Sequence, residues 1–89
     1  MWGVLTGAWE LDPRVALRTE PFGALAYHYG NRRLTFLRSS ELVELVEALG
    51  DYSSIDEALA ASQIHPKRWP AFQQALVVLA DSEVIRRCG

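Results

Sequence analysis

Apolar and polar residues alternate with a period of two across residues 22–37, with one interruption. Leu25, Tyr27 and Tyr29 alternate with Ala24, Ala26 and His28; after Gly30 and Asn31, Leu34 and Phe36 alternate with Arg33, Thr35 and Leu37. Such alternation marks strands with two unlike faces, because successive side chains point to opposite sides. The Gly-Asn pair between the two runs predicts a β-hairpin with a tight primed turn, since both residues accept positive φ. A third run precedes them. Over residues 14–20, Val15 and Leu17 share one side while Arg14, Ala16 and Arg18 share the other. Pro21 ends that run, because proline cannot donate to a ladder. The three runs predict an antiparallel meander whose first and third strands are its edges.

After Ser40 the period changes. Leu42, Leu45, Val46 and Leu49 form a helical stripe opposite Glu41, Glu44 and Glu47, with Ser39 or Ser40 as N-cap and Gly50 as a left-handed C-terminal residue. Ser54 and Glu57 form a capping box for a second, short helix that buries Ile55, Ala58 and Leu59 and stops near Ser62, with Ile64 beneath it. A turn at residues 65–69 leads to a third helix over residues 70–82. Its stripe is Phe72, Ala75, Leu76 and Leu79, with Trp69 just ahead and Val77 and Val78 on the flanks. Only Gln73 and Gln74 are polar across residues 71–80. A helix apolar nearly all round needs cover on more than one side. A small core supplies one side, so the other predicts a ligand or a second copy of the chain as a homodimer partner. The expected fold class is α+β: a winged helix-turn-helix-like domain over residues 14–85, a three-stranded antiparallel sheet followed by three helices. Residues 1–13 read as an arm in which Trp9 packs on the body and residues 1–7 are mobile. Val84 and Ile85 read as a short extended anchor, and residues 86–89 as a frayed tail.

At 89 residues, 49% of them apolar, there is room for one domain with a modest core. A single cysteine, Cys88, rules out an internal disulfide. No apolar run approaches bilayer length. A cytoplasmic domain with no membrane partner is the expectation. The net charge of −2 conceals a segregation: residues 21–40 hold three arginines and no acid, and residues 41–57 hold six acids and no base. A weakly acidic whole is a poor footprint for nucleic acid. A basic strip beside the hairpin suits an acidic peptide, or else it guards an edge strand against aggregation. The acidic side of the first helix reads as a solvated surface or a face for a basic partner.

Catalytic chemistry is missing. His28, His65 and Cys88 are far apart in sequence and show no metal-ligand spacing. There is no glycine-rich phosphate loop and no nucleophile elbow. No enzyme activity, metal or cofactor is expected, and His28 reads as structural.

Three stretches carry a resemblance: residues 12–18 (DPRVALR), 20–30 (EPFGALAYHYG) and 33–37 (RLTFL). They closely resemble the peptide chaperones of mycofactocin biosynthesis, relatives of the peptide chaperone of pyrroloquinoline quinone biosynthesis, and the likeness runs over residues 9–85. The resemblance implies a non-catalytic recognition element that captures the leader of a short precursor peptide and presents it to a radical S-adenosylmethionine enzyme. In such elements the leader adds as an antiparallel strand beside the third strand, against the third helix. That places the candidate peptide contacts at Arg32, Arg33, Leu34, Thr35, Phe36, Leu37 and Arg38, and at Trp69, Phe72, Gln73, Leu76 and Val77. One departure stands out. Residues 80–85 read ADSEVI, with Glu83 where relatives tend to carry glycine, so the helix is expected to extend further there. The alternative from the same element order is a winged helix-turn-helix DNA-binding domain, for which Gln73 and Gln74 among valines make a poor reading surface.

Overall fold

A computed structural model describes residues 6–88, so the expectations for residues 1–5 and Gly89 fall outside the described residues. In chain order the elements are β1 (Trp9–Leu11), β2 (Val15–Glu20), β3 (Gly23–His28), β4 (Leu34–Leu37), α1 (Ser40–Ala48), α2 (Ile55–Ala61), α3 (Trp69–Asp81) and β5 (Ile85–Arg87). Strands β2, β3 and β4 form the expected antiparallel meander, with Val15 opposite His28, Ala26 opposite Thr35 and Ala24 opposite Leu37.

The inward face of the sheet is its small-residue face. Ala24, Ala26 and His28 are buried, and α1 packs on β3, while Leu25 and Tyr27 turn outward. Short side chains on the strand let a helix stripe of leucines and valines approach closely, so the bulk of the core comes from the helices. Leu37, Val46, Leu49, Leu59, Leu76 and Ile85 are its innermost large residues. Gly23 (φ 146) sits where a Cβ would collide with the Leu37 carbonyl, so only glycine lets β3 begin there.

The hairpin turn differs from expectation. Neither Gly30 nor Asn31 has positive φ; Arg32 does, at 63°. The connection is longer than a two-residue primed turn because the imidazole of His28 organises it. Nδ1 accepts the amides of Gly30 (2.9 Å) and Asn31 (3.0 Å), and Asn31 Oδ1 accepts the Arg33 amide at 2.8 Å. A side chain that supplies these acceptors removes the need for the tight turn.

Ser39 caps α1 through the Leu42 amide (3.1 Å), but the helix passes into a 3₁₀ turn at Leu49–Asp51, and Gly50 is not a left-handed cap. Ser54 caps α2 through the Glu57 amide. Glu57 reaches one residue further back than a capping box requires, accepting from the Ser53 amide and hydroxyl, which hold its carboxyl below the usual range. A 3₁₀ turn at Pro66–Arg68 precedes α3, and Pro70 falls in the first turn, where its missing N–H costs nothing. The helix does not extend through Glu83. Glu83 takes φ 65 and donates to Ala80, while Val84 donates to Leu79, the paired bonds of a Schellman stop in which a glutamate occupies the residue usually left to glycine.

Trp9 packs against the core and Val84 and Ile85 form a buried extended anchor, as expected. The tail is the correction: Arg86 and Arg87 are not frayed but pair with Glu10 and Trp9, and Ile85 with Leu11, in a second, two-stranded sheet. An Arg86–Glu10 ion pair (2.7 Å) spans it.

Candidate functional site

Among the described residues β4 has a neighbouring strand on one side only, β3. The His28 amide donates to the Arg33 carbonyl, so the His28–Arg33 pair is hydrogen-bonded across the ladder. Because such pairs alternate in an antiparallel ladder, Thr35 and Leu37 bond towards β3. Leu34 and Phe36 therefore turn their backbone N–H and C=O groups to the open edge. The edge is available for another strand.

α3 is linked near its start to the first turn of α1 and just past its end to the β3–β4 turn. Near its start, the Arg68 guanidinium donates to both carboxylate oxygens of Glu41 (3.0 and 2.7 Å), a few residues past the end of β4. At its far end, the Asn31 side-chain amide donates to the Ser82 carbonyl at 3.4 Å, in the turn that precedes β4. The start of α3 is thus held near the residues that follow β4, and its end near the turn that precedes β4. The bidentate bond from Arg68 holds the Glu41 carboxyl below its usual range and raises the guanidinium.

Helical periodicity sorts the α3 side chains around these tethers. Phe72, Leu76 and Leu79 are buried in the core. Arg68, Ala71, Ala75, Val78 and Ser82 fall on the flank that carries both tethers, and Val78 is 55% exposed there. Trp69, Gln73 and Val77 fall on the opposite flank and are half-buried. The Trp69 indole N–H donates to the Ile64 carbonyl at 3.0 Å, which turns that flank towards the α2–α3 connection.

The residues singled out by sequence therefore divide. Leu37 and Leu76 are fully buried, and Phe72 lies beneath the Arg68 guanidinium, 5.2 Å from its ring centre. Thr35 is half-buried on the inner face, between β3 and the open edge. Leu34, Phe36 and Arg38 project from the outer face, with the Arg38 guanidinium 6.0 Å from the Phe36 ring centre. Arg32 and Arg33 stand exposed in the turn, and among the described residues neither they nor Arg38 form an ion pair. Trp69, Gln73 and Val77 lie on the flank of α3 opposite Arg68 and Ser82. Sequence reasoning gave Asn31, Glu41, Ala75 and Arg68 other roles and singled out neither Ala71 nor Ser82. Their only signal is helical spacing referred to two long-range contacts, and the contacts are not written in any local pattern.

A polar cluster supports the hairpin from below. Asp12 is buried, accepts from the Arg14 guanidinium at 3.2 and 3.1 Å, and is held below its usual range chiefly by that bond. With Nδ1 of His28 accepting, its hydrogen sits on Nε2, which faces Asp12 at 3.8 Å and Glu83 at 4.0 Å without a hydrogen-bond partner. No group of His, Cys, Asp or Glu among the described residues could hold a metal, and none of the described helices is long and apolar enough to cross a membrane.

Residues 8–86 match the family described as peptide chaperone MftB. The chain belongs to the peptide chaperone MftB family. It is 35% identical to peptide chaperone MftB of Mycobacterium tuberculosis, with 96% of this chain and 94% of that one covered. It is 40% identical to peptide chaperone MftB of Mycolicibacterium smegmatis, covering 88% of this chain and 76% of that one. No solved structure matches it significantly. The expectation of a non-catalytic chain agrees with the family, whose members are named for chaperoning peptides. In MftB terms, what remains is where a peptide would lie.

Proposed function

We propose that this chain is the leader-binding module of mycofactocin biosynthesis. In this reading it takes up an acidic precursor peptide as a fourth antiparallel strand on β4 and offers it to a radical S-adenosylmethionine maturase. The observation that carries the reading is the edge position of β4, with the ends of α3 linked to Glu41 after the strand and Asn31 before it. Strand addition draws affinity from main-chain hydrogen bonds and selectivity from alternate side chains. The outward N–H and C=O groups of Leu34 and Phe36 would provide the first. The flank of Ala71, Ala75 and Val78 would meet inward side chains of the peptide, its two alanines leaving room for them.

The unpaired Arg32, Arg33 and Arg38 suit an acidic leader. Exposed charge pairs are worth only about 0–1 kcal/mol each, so they would act mainly on the association rate and its salt dependence. The test is titration of the fluorescently labelled precursor peptide of the same pathway, with labelled duplex DNA as the second arm. Saturable peptide binding with no DNA binding is the expected result. DNA binding without peptide binding overturns the reading and makes α3 a reading helix.

A further inference from the structure

The outer face of the sheet carries more exposed apolar surface than a free strand face should. Side chains opposite one another across a ladder share a face, so the pairs Tyr27–Leu34 and Leu25–Phe36 stack outward in two rows. Phe22 leans on Phe36 (5.9 Å between ring centres), and Tyr29 extends the row past Tyr27 at 5.1 Å. Leu34 is 57% exposed and Phe36 52%. A shallow concavity of about 750 Å³ opens among them, bordered by Arg18, Glu20 and Arg38. No described helix covers this face: α1 lies on the other side of β3, and the core is assembled there. Contiguous exposed patches of this kind mark interaction sites in soluble proteins.

The border selects the occupant. Glu20 is already paired with Arg18 (3.1 Å), while Arg38 overhangs the patch and Arg32 and Arg33 stand at its hairpin end, all three without an ion pair among the described residues. A second copy would bring the same border, whose one carboxylate, Glu20, is already paired with Arg18, so it offers the three arginines no free acidic partner. A protein surface with an apolar ridge bordered by carboxylates fits both features.

We infer that the outer face of the sheet is the docking surface for the peptide-modifying enzyme, on the opposite face of β4 from the α3 groove. The inference rests on the strand-addition reading for its consequence. A strand added to β4 continues the sheet, so every second side chain of the peptide would project beside Leu34 and Phe36. Enzyme docked on this face would touch protein and peptide together, and the complex would bind it more tightly than the chaperone alone. By linkage, the enzyme would tighten peptide binding by the same factor.

The test uses the radical S-adenosylmethionine maturase of the pathway as probe, with the chaperone in wild-type form, as Leu34→Thr/Phe36→Thr, and as Val78→Ser. Threonine keeps the strand preference of the exposed positions. For Phe22→Ser, outside the ladder and outside the peptide edge, an unchanged melting temperature and peptide affinity within twofold of wild type are expected, with weaker maturase affinity. For the double variant the readout is the maturase affinity of the free chaperone, expected to be at least tenfold weaker. Val78→Ser should show the converse of Phe22→Ser, weaker peptide binding with maturase affinity of the free chaperone unchanged. Phe22→Ser alone carries the test if the double variant does not fold. Undiminished maturase binding by both the folded double variant and Phe22→Ser overturns the inference, as does a wild type that does not bind the maturase. So does a wild-type dimer dissolved by the double variant. A wild type that binds maturase at this face but no peptide leaves the docking surface standing and removes the strand-addition reading instead.

Discussion

His28 and Gly30 are fitted to each other: the imidazole Nδ1 accepts the Gly30 amide at 2.9 Å, and a Cβ on Gly30 would stand 2.7 Å from His28 Cε1. The hairpin that presents β4 is held by a side chain at its base, and that side chain tolerates nothing bulkier than hydrogen above it. Gly30→Ala should therefore displace the imidazole and destabilise the domain by about 1–3 kcal/mol. Gly50→Ala is the contrast. Its Cβ would meet only Glu10 Cβ, at an ordinary 3.5 Å, and its φ is not positive, so the change should be neutral or stabilise by about 0.4–1 kcal/mol. Urea midpoints of the two variants check the pair, and equal losses would show that the hairpin base is not specially constrained.

The ladder phase separates two prolines one residue apart. Thr35→Pro removes an amide committed to β3 and should cost about 1–3 kcal/mol of stability. Phe36→Pro removes an amide that faces the open edge, so the domain should stay folded while peptide affinity falls by tenfold or more. Circular dichroism and a peptide titration on both variants decide it. Normal peptide binding by folded Phe36→Pro would remove strand addition at β4.

Adjacent valines on α3 should behave differently. Val78 is exposed on the flank that carries both tethers, so Val78→Ser should leave stability within about 0.5 kcal/mol and weaken peptide binding by about 1–3 kcal/mol if it is a hot spot. Val77 is half-buried on the far flank, and Val77→Ser should lower the melting temperature without a comparable loss of affinity. The reverse outcome would place the peptide on the flank of Trp69 and Gln73.

Acid should loosen the base of the hairpin. The Arg14 guanidinium holds Asp12 below its ordinary value of 3.8, so the folded state favours the carboxylate. A lowered folded value contributes stability that is complete above the unfolded value and is lost as pH falls through the folded one. Melting temperature should thus decline below about pH 4. Asp12→Asn should be less stable at pH 7 by about 1–3 kcal/mol, with a shallower acid decline. The decline should persist in part, because Glu41 and Glu57 are also held low. An acid limb as steep in Asp12→Asn as in wild type would exclude Asp12 as a contributor.

Most elements were legible because each writes its own period. The hairpin arms, the α1 stripe and the Ser54 cap are local patterns, and they appear where they were read. The turn was misread because Gly30 and Asn31 look like a primed turn, whereas His28, two residues earlier, supplies the acceptors that set the loop. The pairing of β1 with β5 was invisible, since three-residue strands 76 positions apart, as at Glu10 and Arg86, leave no local signal. For the candidate site, the strand half was legible in the alternation around Leu34 and Phe36. On α3, periodicity alone does not choose between the flank of Trp69, Gln73 and Val77 and the flank of Ala71, Ala75 and Val78. Only the contacts of Arg68 and Ser82 tell the two flanks apart.

Those two contacts also set a limit on what can be read. α3 has 13 residues, about 20 Å of helix at ~1.5 Å per residue, and a bridge stands at either end of the slot proposed between it and β4. An extended chain advances about 3.4 Å per residue, so on the proposed reading about six residues would fit between the bridges, and with alternate side chains facing away about three would be inspected. Those three would meet mostly methyl groups, and one methylene discriminates by only about 1–3 kcal/mol. A recognition tag of so few letters carries little information. A peptide seated there would be free to vary almost everywhere else, and misreading would be held down by the scarcity of competing chains rather than by the stringency of the slot.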